Sequence, residues 1–186
     1  FTTQPGVPLV KIERVSDNQL KLSQQRYVML SDERAYDTTW TIPVVIRYST
    51  GRQDFTQRVL LSRREQYVNL EVPISLMQRG TFYPNADARG YYLWTLEGDK
   101  LAELPGRRIK HLSVRERLDY LDNLAAQLHG GGMLSDSYLK ALQDFKRDPA
   151  PEVLTDLAGK LEDFTRDFIH DGNRTNVAAF VRDVLG

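Results

Sequence analysis

From Trp40 to Tyr48 the chain reads WTIPVVIRY, so Trp40, Ile42, Val44, Ile46 and Tyr48 occupy alternate positions. In an extended backbone alternate side chains point the same way, and the stretch therefore predicts a strand with five bulky apolar groups on one face. Such a face needs a second layer over it. Thr41, Pro43, Val45 and Arg47 form a mixed opposite face, and Pro43, with no N–H to give a ladder, marks a sheet edge or a bulge.

The neighbouring stretches read the same way. Val10 and Ile12 are the inward residues of a strand within Val7–Val15, and Asp17-Asn18 supplies the turn to a second strand with Leu20 and Leu22 on one face. Tyr27 and Met29 fall on the opposite parity, which predicts a bulge between Ser23 and Arg26 that would bring both pairs into the core. After a turn at Ser49-Thr50-Gly51, Phe55, Val59 and Leu61 share one side of Asp54–Leu61, then Val68, Leu70 and Val72 are in phase, and Gly90–Leu96 forms a last, aromatic-rich strand. Short strands with turns between them and no helix-length crossover predict an antiparallel β-sandwich over residues 1–104.

Near Leu104 the period changes. Pro105-Gly106 breaks the chain, and Ser113-Val114-Arg115-Glu116 has the form of a capping box opening a helix with Leu118, Leu121, Ala125 and Leu128 on one stripe. Gly130-Gly131-Gly132 ends it. Ser135 or Asp136 is placed to cap a second helix carrying Leu139, Leu142 and Phe145. Pro151 suits the first turn of a third, with Leu154, Leu157, Leu161, Phe164 and Phe168 at spacings of three and four. Asp171-Gly172-Asn173 separates it from a fourth, striped by Val177, Phe180, Val181 and Val184. Residues 105–186 are thus expected to form an α-helical hairpin array, so that a β part and an α part follow one another in separate domains. The last stripe has little to cover it, and the chain opens on Phe1 rather than methionine, so both ends read as cuts from something longer.

Composition narrows the function classes. Basic and acidic residues balance at 25 each, which gives no global attraction to nucleic acid or to an anionic membrane. The absence of cysteine removes disulfides and thiolate nucleophiles without fixing a compartment, cytoplasmic or periplasmic. No apolar run approaches the roughly 20 residues that span a bilayer.

The chemistry-bearing residues are sparse. His111, His129 and His170 stand in no metal-ligand spacing. His170 beside Asp171 has the look of an acid–base pair, but a histidine in a last helical turn commonly does no more than face free carbonyls, and the same holds for His129. The three glycines lack the lysine and the strand-to-helix setting of a phosphate loop. Arg63-Arg64 and Arg107-Arg108-Lys110 read as solvated loops, and Tyr91, Tyr92 and Trp94 as sandwich core or an interdomain wedge rather than a stacking platform. No residue is assigned a catalytic, cofactor-binding or metal-binding role.

Several segments together resemble one family. Phe1-Thr2-Thr3-Gln4-Pro5-Gly6-Val7-Pro8-Leu9-Val10 resembles the Trp-x-x-Gln-x-Gly-x-Pro-hydrophobic stretch by which the catalytic domain of aminopeptidase N-type zinc peptidases passes into its β-sandwich. Leu22–Tyr27 resembles the following Leu-x-Gln-x-Arg-Phe strand, Trp40–Val44 the Trp-x-Ile-Pro-Val strand, and Asn85 with Gly90-Tyr91-Tyr92 the Asn…Gly-Tyr-Tyr-Arg-Val element that closes the sandwich. Leu112–Gly132 is similar to the first helix of the family's helical C-terminal domain. Phe1 replaces the usual tryptophan, Leu93-Trp94 replace Arg-Val, and the helical part is far shorter than the family's solenoid.

The resemblance implies a parent that removes N-terminal residues from peptides with a zinc-activated water. In the family the His-Glu-x-x-His helix and the Gly-x-Met-Glu-Asn loop lie N-terminal to this segment, so no cofactor is expected in this chain and zinc is implied only for the parent. The expected partners are the missing N-terminal catalytic domain and, through the helical domain, the parent's peptide substrate. The chain is therefore expected to be a non-catalytic portion that links and caps a peptidase domain. The alternatives are a scaffold module of a relative that has lost its metal site, and a stand-alone binding sandwich.

Overall fold

The computed structural model describes residues 6–30, 38–75, 81–96, 109, 111–169, 172 and 174–185. Among the described residues seven strands, β1 (Pro8–Arg14), β2 (Gln19–Arg26), β3 (Ile42–Ser49), β4 (Asp54–Leu61), β5 (Glu65–Asn69), β6 (Phe82–Tyr83) and β7 (Leu93–Leu96), make two sheets. One has the order β5-β2-β1-β7 and the other β4-β3-β6. Described α-helices follow: α1 (Val114–His129), α2 (Ser135–Gln143), α3 (Pro151–Phe168) and α4 (Arg174–Leu185). A β part succeeded by an α part is the order that the change of period predicts. The expected division at residues 104 and 105 lies outside the described residues.

The five alternate residues of the Trp40 stretch are all buried, as are Val10, Ile12, Leu20 and Leu22 from the other sheet. Each sheet thus gives one apolar face to a shared core. Pro43 pairs with Leu60 of β4, while β6 meets β3 only at Arg47 and Tyr48, so among the described strands the proline end of β3 has a neighbour on one side alone.

Two expectations change. β1 and β2 pair without an extra residue from Pro8↔Arg26 to Arg14↔Leu20, so the bulge near Ser23–Arg26 does not form. The inward position there is Gln24, which is buried. Its Nε2 donates to Trp40 O (2.8 Å) and Arg63 O (2.9 Å), and Trp40 N donates to its Oε1 (2.8 Å). One amide thereby satisfies the backbone next to β3 and β4, and regular pairing leaves Met29 exposed. The second change is β7, which runs parallel to β1 (Leu9↔Leu93 to Ile12↔Leu96) whereas every other pairing among the described residues is antiparallel. A parallel pair needs a long crossover, and the whole of β2 to β6 supplies it.

The helical stripes are close to those read from the sequence. Ser113 and Glu116 form the reciprocal capping box of α1. Pro151 opens α3, whose buried residues are Val153, Leu157, Leu161 and Phe164 rather than a stripe beginning at Leu154. Ser135 lies inside α2, and Leu134 precedes the helix with no side-chain cap. On the far side of the helices Val177 and Val184 of α4 are buried, with Phe180 and Val181 partly so.

Sheets and helices meet through aromatic rings. Trp94 of β7 packs edge-on to Tyr83 (centroids 5.4 Å) and stacks on Tyr120 of α1 (5.5 Å), which in turn faces Phe145 (6.0 Å). Trp94, Tyr83, Tyr120 and Phe145 are all fully buried, whereas Tyr91 is 65% exposed. Trp94→Ala is therefore expected to cost about 3–5 kcal/mol in urea unfolding, and Tyr91→Ala about 1 kcal/mol or less. A reversed ranking would move the aromatic run from core to surface platform.

Candidate functional site

Helix α1 is buried on two sides, against β7 and the turn after β6, and against α2 and α3. Its apolar side carries Tyr120, Leu121, Leu124 and Leu128. Its other side carries Glu116, Asp119, Asn123 and Gln127, at spacings of three, four and four, which is one stripe of a helix. Polar side chains on a buried stripe need partners, and those of the first three lie on the sandwich or its turn.

Glu116 is fully buried. Its Oε2 accepts from Ser113 N (2.9 Å), Ser113 Oγ (3.1 Å) and Arg47 of β3 (2.6 Å), and its Oε1 from Asp87 N (2.9 Å). Burial pushes this carboxyl up, but the donors from Ser113, Asp87 and Arg47 outweigh it and hold the group below its ordinary value. Asp87 sits in a 3-10 turn, Ala86–Ala88, with φ of 60°, and Ala88 follows at 49°. A left-handed non-glycine residue costs roughly 1–2 kcal/mol, so the turn is a strained device that aims one N–H at a carboxylate. Asn85 braces it, accepting from Gly90 N (2.8 Å) and donating to Gly90 O (3.2 Å), while Asn85 O accepts from Ala88 N (2.8 Å).

One turn along α1, Asp119 accepts from Tyr83 Oη (2.6 Å), Trp94 Nε1 (3.1 Å) and Asn85 Nδ2 (3.1 Å). All three donors are neutral. Burial raises the Asp119 carboxyl above its ordinary value; those hydrogen bonds offset part of the rise and the nearby Asp122 adds to it. Tyr83 is shifted far up by burial and by Asp119, so it stays a donor. Next, Asn123 Oδ1 accepts the backbone N–H of Trp94 (2.7 Å), closing the outer edge of β7 at that residue. At the end of the helix Tyr27 donates to Ala126 O (2.9 Å), and Leu30 N to His129 O (3.1 Å). On the helical side Arg117 Nε lies 2.7 Å from Asp148, a buried pair that ties α1 to the loop before α3.

Glu116, Asp119, Asn85 and Asn123 are each engaged in hydrogen bonds that join α1 to the sandwich and its turn.

The residues weighed in the sequence fall elsewhere. His111 is exposed; His129 ends α1 with its ring against Phe168 (5.6 Å); His170 and Asp171 lie outside the described residues, as do Arg107, Arg108 and Lys110. Arg63 and Arg64 are exposed. The glycine run is a helix stop, with Gly131 at φ 72° and the N–H groups of Gly130, Gly131 and Gly132 bonded back to Ala126, Leu128 and Gln127. Among the described residues no group of three or more His, Cys, Asp or Glu side chains is placed to hold a metal ion, so the donor set of a zinc site is not met in them. Nor is any described helix long and apolar enough to cross a membrane.

No family model matches the chain. Over its whole length it is 20% identical to Aminopeptidase 2 of Candida albicans, in an alignment of 188 positions. The chain covers 20% of that protein's length. This likeness supports a relation to aminopeptidases and nothing finer.

Two outcomes test the interface. A carboxylate with a lowered folded pKa stabilises above its unfolded value and loses that contribution as pH falls through the folded value. The Glu116→Gln variant should therefore be less stable than the parent at pH 7, and the two urea midpoints should converge as pH drops below the ordinary glutamate value of 4.5. Asp119, shifted the other way, contributes the opposite slope, so Asp119→Asn should not reproduce that convergence. Separately, a Cβ at Gly90 would overlap the Tyr92 ring, which is pinned by its hydroxyl to Pro84 O (2.8 Å). Gly90→Ala should lower stability by about 1–3 kcal/mol in the same measurement.

Proposed function

We propose that this chain is a non-catalytic portion of an aminopeptidase-like polypeptide, in which the sandwich links, and the helices cap, a peptidase domain supplied by the rest of the protein. The observation that carries this reading is the whole-chain likeness to a fifth of Aminopeptidase 2, joined to the sandwich segments quoted from the sequence. The geometry supports it from a second direction. Helix α1 is fastened to the sheets by hydrogen bonds to Glu116, Asp119 and Asn123 rather than by apolar contact alone, so the first helix of the cap takes its orientation from the sandwich.

In this reading the chain's own residues bind and orient. Arg47, Tyr83, Asn85 and Trp94 fix α1, and α1 holds the loop between α2 and α3 through the Tyr120–Phe145 ring contact and the Arg117–Asp148 pair. The peptide bond is cleaved by groups outside this chain, in a catalytic domain where the zinc of such enzymes would reside.

The test is direct. The purified chain, incubated with aminoacyl-nitroanilides and zinc, should release no nitroaniline, and metal analysis after dialysis should find zinc well below one per chain. The reading frame upstream of the codon for Phe1 should encode a His-Glu-x-x-His helix. Turnover by the chain alone, or one tightly held zinc per chain, would overturn the proposal.

A further inference from the structure

A strand at the rim of a sheet leaves half of its backbone groups unpaired, and natural folds shorten, bend or cover such rims. Among the described residues the rims β5, β6 and β7 run for five, two and four residues, and Asn123 takes the Trp94 N–H of β7. β4 is the long rim. All eight of its residues pair with β3, no described strand lies on its other side, and it holds no proline, glycine or lysine to interrupt a further ladder.

The hairpin fixes which way the backbone groups of β4 point. Ser49 N donates to Thr81 O on the β6 side of β3 (2.9 Å), and Thr50 N donates to Gln53 O across the turn (3.1 Å). Ser49 and its partner Asp54 are therefore a non-bonded pair of the β3–β4 ribbon. Bonded and non-bonded pairs alternate in an antiparallel ribbon, so Asp54, Thr56, Arg58 and Leu60 turn their N–H and C=O groups to the open side. The side chains of the same four residues are exposed, on the face opposite to the buried Val59 and Leu61. Neither Asp54 nor Arg58 has a hydrogen bond or ion pair among the described residues.

A second copy of this strand supplies what these groups lack. When two β4 strands run antiparallel with Thr56 opposite Thr56 of the partner subunit, Asp54 stands opposite Arg58 of the partner subunit, and the two-fold axis repeats the match. These are all bonded pairs, because each residue in them turns its backbone groups outward. A shift of two residues in either direction puts Asp54 opposite Thr56 or Leu60 of the partner subunit and loses the charge match.

We propose that the outer edge of β4 is a self-association site, at which two copies of this chain join antiparallel about Thr56 with Asp54 and Arg58 paired across the axis. The joined sheet runs β6-β3-β4-β4-β3-β6 and covers the long rim of both copies. Because each copy spends its edge on the other, assembly stops at the dimer. One strand pair is a small interface, so the dimer is weak and dependent on concentration and ionic strength. The inference rests on β4 alone and stands or falls independently of the relation to aminopeptidases.

The experiment is sedimentation equilibrium of the chain at low salt. From about 20 µM to about 1 mM the parent should follow a monomer–dimer equilibrium, as expected for an interface at the small end of the range. Asp54→Arg and Arg58→Asp each set like charges opposite one another at both ends of the ladder and should weaken the dimer by about tenfold or more. Both side chains are exposed and unpartnered in the single copy, so the variants stay folded. Mixing the two variants restores opposite charges in the same register and should bring back association as a heterodimer. A parent that stays monomeric throughout, a dimer that either reversal leaves intact, or a mixture that does not associate would overturn the proposal.

Discussion

A carboxylate taken out of water at the junction of two layers must be given donors or it will not stay there, and the buried Glu116 and half-buried Asp119 put two such groups one turn apart on the same helix. Their partners come from places distant in sequence: Arg47 on β3, Tyr83 on β6, Asp87 and Asn85 in the strained turn, and Trp94 on β7. Each of those elements is positioned by the sandwich. The orientation of α1, and of everything packed behind it, therefore depends on a set of directional contacts that an apolar seam of equal area would not impose.

The two carboxylates solve the burial problem differently. Glu116 has a guanidinium and three further donors and is held ionised, whereas Asp119 has only neutral donors and is held at a raised pKa. Breaking the layers apart would expose one group that gains little from water and another that gains more. The strain at Asp87 and Ala88 belongs to the same arrangement, since the backbone is bent into the left-handed region at the place where an N–H is needed by Glu116.

Much of this fold was legible because it is written in period. Alternation gave the inward residues of β1, β3 and β4, the capping box gave the start of α1, and Pro151 gave the start of α3. What escaped is what period does not encode. Gln24 looks like a break in an apolar alternation, and the backbone groups of Trp40 and Arg63, brought in from segments next to β3 and β4, make a buried glutamine tolerable. The parallel placement of β7 depends on a pairing across most of the sandwich. The polar stripe Glu116, Asp119, Asn123, Gln127 was present at helical spacing, with short side chains where a solvated face would carry lysine, and that was the signal for a second buried side of α1. The His111, His129 and His170 reading turned on spacing alone, and the described residues add no ligand set to it.

The parallel pair of β1 and β7 has one more consequence, and it concerns synthesis rather than stability. Leu9 finds Leu93 only after every intervening strand has been made, so the four-stranded layer is left one strand short while the ribosome is still delivering the middle of the chain. During that interval the side of β1 that β7 will occupy is an open edge, with backbone groups free to pair with any passing strand. The nascent chain is thus most exposed to misassociation before β7 emerges, and α1, which needs Trp94 in place to dock, is tied to the same event.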